Sequence, residues 1–130
     1  TATDLVKFGS AVNLYKKSNI LQNEMIKVMI ERPKKGHFGN VNENQPDPTY
    51  YGFGWSVRPT KNGKTNRWHT GSLSGTSTIL VLRHDGLCWS VLFNTNLTND
   101  GKKPSSKIDS LVHRAADKIT SWPNHDLFKN

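Results

Sequence analysis

The residues of this chain whose types and spacing could do chemistry gather in one short stretch, Arg67-Trp68-His69-Thr70-Gly71-Ser72-Leu73-Ser74-Gly75. His69 brings an imidazole, a group that changes charge close to neutral pH. Thr70, Ser72 and Ser74 bring hydroxyls, while Gly71 and Gly75 leave the backbone bare. A tight turn needs only one glycine, and a second, directly after His-Thr, lets another molecule lie close against the chain. The pattern predicts a site at the end of a strand. Ser72 and Ser74 do not stand in a Gly-x-Ser-x-Gly elbow, so no nucleophile of that kind is expected here. The plain alternative for His69 is a strand-end histidine satisfied by a neighbouring carbonyl.

Other reactive groups are scattered. His37, His84, His113 and His125 lack metal-ligand spacing, and Cys88 is alone. Neither a zinc site nor an internal disulfide is expected, and no cofactor is implied. Asp47 and Asp85 lie in turn contexts, where a short carboxylate commonly turns the chain. Trp55, Trp68 and Trp89 are read as packing residues, and Asn96-Leu97-Thr98 matches the short glycosylation pattern.

Several elements must position the central stretch. Leu5, Phe8, Val12 and Tyr15 recur at helical spacing behind Thr3 or Asp4 as N-cap. A second helical segment carries Leu21, Met25, Val28 and Met29, and Pro33 closes it. From Lys34 to Thr49 the composition predicts a long surface loop. Tyr51–Val57 alternates aromatics with glycines and reads as a strand, and Asn62-Gly63 marks a hairpin. Thr65–His69, Ser77–Arg83 and Leu87–Asn94 complete a meander, with Asp85-Gly86 as a turn. Ile108, Leu111, Val112, Ala115, Ile119 and Trp122 then mark an amphipathic helix, with Ser105 or Ser106 as its cap.

The fold class expected is α+β: an antiparallel sheet of three to four strands with flanking helices, in one domain over residues 1–130. The runs STILVLR and LCWSVLF are nearly all apolar, which predicts that both sheet faces are covered. The C-terminal helix covers one face, so a layer is expected to be missing. Net charge is +8, but the lysines and arginines are spread along the chain, Arg67 among them. That spread reads as a solvated surface and argues against a nucleic-acid footprint, while leaving attraction to anionic polymers or lipid headgroups open.

Three motifs in order carry a resemblance: Thr1–Phe8 (TATDLVKF), Tyr51–Trp55 (YGFGW) and His69–Gly75 (HTGSLSG), followed by an apolar hairpin ending at Asn94. Over Thr1 to about Trp122 the chain resembles the C-terminal part of class C-type β-lactamase-like serine hydrolases, which include penicillin-binding proteins. The resemblance implies an incomplete transpeptidase-like fold whose parent hydrolyses an amide or ester, in a peptide or small-molecule substrate, through an acyl-serine. It makes His69-Thr70-Gly71 the third motif of that family, on an edge strand, with the N–H of Ser72 as one of two oxyanion donors. His69, standing where many members have lysine, would attract a substrate carboxylate. An extracytoplasmic location, periplasmic or secreted, is also implied.

The chain departs from the family in what it lacks. No lysine follows a serine at the Ser-x-x-Lys spacing, and Tyr15, Tyr50 and Tyr51 do not begin a Tyr-x-Asn or Tyr-x-Ser motif. The expectation is therefore a C-terminal segment, inactive alone, whose partner is the N-terminal part of the same domain. A homodimer is the expected remedy for a bare sheet face. The alternative is a non-catalytic binding module on a degenerate fold of the same kind.

Overall fold

A computed structural model describes residues 1–15, 18, 20–33 and 49–125. The loop expected over 34–49, with His37 and Asp47, lies outside the described residues except for Thr49. Thr1 opens the first helix, α1 (Ala2–Ala11), through a capping box: its hydroxyl accepts from the Asp4 N–H, and the Asp4 carboxylate binds back. The cap is Thr1, not Thr3 or Asp4. Helix α1 then settles directly onto the sheet at Gly9. A Cβ there would lie 2.8 Å from Cys88 Sγ and 3.2 Å from the Cδ1 atoms of Leu80 and Leu82, so only glycine permits this approach.

Helix α2 (Asn23–Ile30) buries Ile26 and packs Met29 and Ile30 against the core. The apolar stripe expected from Leu21, Met25 and Val28 is instead exposed, because the helix is turned to seat Ile26. The expected strand Tyr51–Val57 is also divided. Gly54 has φ +78°, and the Gly52 N–H closes a turn onto the Trp55 carbonyl at 2.8 Å. The aromatic alternation thus marks a reversal between β1 (Tyr50–Tyr51) and β2 (Ser56–Pro59).

The chain continues as β3 (Thr65–Leu73), β4 (Thr76–Leu82) and β5 (Cys88–Phe93). The five strands form one antiparallel sheet in chain order, one strand more than the upper expectation. Gly63, at φ +76°, closes the β2–β3 hairpin where Asn62-Gly63 predicted it.

Val12, Trp55, Val57, Leu80 and Leu82 make the core between the sheet and helices α1 and α2. Burying an aliphatic side chain of this kind contributes about 1.5–3 kcal/mol. The opposite face receives α3 (Pro104–Asp117). Pro104 occupies its first turn and Lys103 is the N-cap, in place of Ser105 or Ser106. Ser105 is buried, and its hydroxyl accepts from Ser77 at 2.8 Å. Helix α3 ends before Ile119 and Trp122, so these do not extend its buried face.

Over β4 the expected bare face is absent, because α1 with Met29 and Ile30 of α2 covers one side while α3 covers the other. Ile79, Leu80, Val81 and Leu82 are all buried. Beyond β4 the α1 side of the sheet keeps exposed apolar groups, Phe8 at 48%, Leu73 at 75% and Leu92 at 44%.

Candidate functional site

Strand β3 is longer than its neighbour. Its pairing with β2 ends at Ser56↔Trp68, whereas its pairing with β4 runs to Leu73↔Thr76. The segment His69–Leu73 therefore has a partner on one side only. In the sheet as a whole β3 is central, but over this segment it is an edge.

Hydrogen-bonding direction alternates along a strand, so the direction of each peptide here can be worked out. The Lys64 carbonyl accepts from the Thr60 N–H at 2.8 Å, on the β2 side. Thr65 turns the other way, giving its N–H to the Tyr15 hydroxyl at 2.8 Å. Pro59, which has no N–H, sits opposite Thr65, as a non-hydrogen-bonded pair allows. Continuing the alternation, residues 66 and 68 bond toward β2, and 67, 69 and 71 toward β4. Thr70 and Ser72 then direct their N–H and C=O groups to the unpaired edge.

Side chains alternate as well. His69, Gly71 and Leu73 share the α1 side with Leu80, Thr78 and Thr76, while Thr70 and Ser72 point toward the α3 side with Ile79 and Ser77. Gly71 admits Thr78, whose Oγ1 would lie 2.6 Å from a Cβ at that position. The His69 imidazole is exposed, and its Nε2 lies 3.0 Å from the Tyr51 hydroxyl. Its partner is thus a phenol from β1, not a neighbouring carbonyl. Tyr51 was visible as part of YGFGW, but only the reversal at Gly52–Trp55 places its hydroxyl beside His69.

A cavity of about 360 Å³ adjoins the imidazole, lined mainly by Leu5, Phe8, Met29, Trp55 and Leu80. His69, Thr70, Gly71 and Ser72 thus form one continuous stretch: an exposed imidazole, an open strand edge and an apolar hollow. A carbonyl oxygen or an extended peptide can take hydrogen bonds from such an edge. Among the described residues, neither Ser72 nor Ser74 hydrogen-bonds to a histidine, lysine or tyrosine, and no cluster suits a metal ion.

Arg67, expected among the solvated cations, is instead 1% exposed. It approaches the Val12 carbonyl and Asn13 Oδ1, both at 3.5 Å, with the Tyr15 ring 5.9 Å away. No carboxylate pairs with it among the described residues. The C-terminal end of α1 supplies the compensating negative potential, and burial lowers the guanidinium's pKa. Residue type alone suggested surface, but the inward parity of β3 decides otherwise.

Comparison with protein-family models, curated proteins and solved structures finds no match to this chain.

Proposed function

We propose that this chain is the C-terminal segment of a β-lactamase-like serine hydrolase and forms one wall of its acyl-transfer site. The observation that carries the reading is the outward-facing Ser72 N–H on the unpaired stretch of β3, beside the exposed imidazole of His69. A tetrahedral intermediate requires donors aimed at its developing oxyanion, and a backbone N–H on a held strand supplies one without reorganisation. Gly71 keeps the strand flat against Thr78, and His69 attracts a substrate carboxylate when protonated. The nucleophile, its lysine and the proton-shuttling tyrosine come from the N-terminal part of the domain. Peptides or esters are the substrate class.

The second reading, a non-catalytic binding module, draws on the same edge and cavity. These suffice to hold an extended peptide by strand addition, with no nucleophile required.

The sequence preceding Thr1 separates the two: Ser-x-x-Lys and Tyr-x-Asn/Ser there favour the enzyme. In that longer protein, His69→Ala should lower kcat/KM for carboxylate-bearing substrates by about ten- to a hundredfold, the loss of one charge-assisted contact. Carboxylate-free esters should change little. Equal kinetics on both substrate types would make His69 a structural residue. The present chain alone should form no adduct with a fluorophosphonate by intact mass, and a stoichiometric adduct on Ser72 or Ser74 would overturn the assignment.

A further inference from the structure

The solvent-facing side of α3 is used by nothing described so far. Lys107, Leu111, Arg114 and Lys118 follow one another at helical spacing along it, the last at the C-cap, and all four are exposed. Leu111 is 51% exposed, and the residues that follow the helix include Ile119 and Trp122, at 42% and 53%. The helix's carboxylates lie elsewhere. Asp117 is bound to Arg83, and Asp109 lies 3.6 Å from His113. At the start of the helix, Lys102 and Lys103 add to the positive charge, and Asp100 lies 2.7 Å from the Lys107 ammonium and 3.9 Å from that of Lys102.

We propose that this outer face of α3 docks on an anionic lipid bilayer. A line of cations with an exposed leucine at its centre, followed by an exposed isoleucine and tryptophan, has the chemistry of a surface-lying segment. The cations meet lipid phosphates, and the apolar groups enter the headgroup boundary. Each basic residue near such a surface contributes roughly fivefold in affinity, since about 1 kcal/mol per charge is typical. The attraction is electrostatic at long range and weakens when salt shortens the screening length from about 10 Å at 0.1 M to about 3 Å at 1 M. No helix here is long and apolar enough to cross a membrane, so this is surface binding. The inference does not depend on acyl transfer.

Flotation with vesicles containing phosphatidylglycerol tests it on the chain as it stands. The protein should float with anionic vesicles at low salt, remain below with phosphatidylcholine vesicles, and be released by high salt. Arg114→Glu with Lys118→Glu reverses two exposed charges and should weaken binding by at least about a hundredfold, with circular dichroism confirming the fold. Trp122→Ser should weaken binding to anionic vesicles while leaving its salt dependence in place. Equal flotation with neutral vesicles would overturn the proposal, as would anionic flotation unaffected by the charge reversal. Tighter binding to duplex DNA than to anionic vesicles at the same salt would assign the face to nucleic acid instead.

Discussion

Arg67 and His69 stand two positions apart on the same side of β3, yet one is buried and the other exposed. The difference is what lies above them: the end of α1 covers Arg67, while His69 meets the cavity and Tyr51. Arg67, without a carboxylate partner among the described residues, is a cation kept by carbonyl and amide oxygens. Replacing it should reveal whether its charge or its bulk matters. Arg67→Ala opens a void and leaves the Val12 carbonyl and Asn13 Oδ1 without their donor, with an expected cost of about 3–5 kcal/mol. Arg67→Met retains most of the volume and removes the buried charge but leaves the same two acceptors unpaired, and should cost less than the alanine variant, about 1–3 kcal/mol. Chemical denaturation measures both, and equal losses would show that the guanidinium itself holds α1 to β3.

At the level of elements, α3 is fastened to the sheet partly through His113, whose burial ties it to pH. The His113 ring stands edge-on to Trp89, with centroids 4.8 Å apart, and Arg83 donates to the His113 carbonyl while binding Asp85 and Asp117. Burial first, and then the positive field of Arg83 and Arg58, lower the pKa of His113 against the opposing pull of Asp109 and Asp117. The folded form therefore takes up its proton at lower pH than the unfolded chain, whose value is about 6.5. Its contribution to stability is present above that value and is lost as pH falls through the folded pKa. His113→Phe keeps a ring against Trp89 and should flatten the decline in melting temperature as pH falls below about 6.5. An unchanged decline would place the titration elsewhere.

Much of this element order was legible in the sequence. Apolar runs marked β4 and β5, Asn62-Gly63 marked a hairpin, and the helical periods of α1 and α3 were plain. The division of Tyr51–Val57 was not, because its glycines fit a bare strand as well as a turn. The true face of α2 was less plain, since Met25, Ile26, Val28, Met29 and Ile30 make an apolar arc wider than the part that is buried, and packing selects Ile26 within it. For the site, residue types pointed to His69–Ser72. The length mismatch between β2 and β3, which leaves that segment an open edge, depends on pairing and could not be read from composition.

Across the whole molecule, the burial of β4 on both sides narrows how copies could meet. Over β4 no face is left for a second copy, and the outer side of β5 remains unpaired among the described strands. Its six residues are mostly apolar, include the half-exposed Leu92 and contain neither lysine nor proline, the usual guards of an edge. Self-association is expected to use this edge, strengthened by salt that screens the +8 charge. Sedimentation at micromolar concentration should show a dimer that Leu92→Lys weakens. A monomer at every salt concentration would leave the edge without a partner in solution.

The overhang of β3 past β2 also has a signature in time. Peptide hydrogens bonded into β4 can exchange with solvent only when the strand opens, whereas those facing the vacant side are already in water. His69 and Gly71 should therefore exchange slowly, and Thr70 and Ser72 quickly, giving an alternation confined to the stretch that β2 fails to reach. Anything that lies down along that margin, whether a peptide, an acyl group or another part of the same protein, would slow the fast pair and leave the slow pair much as before. The chain thus carries its own occupancy gauge, read one amide at a time.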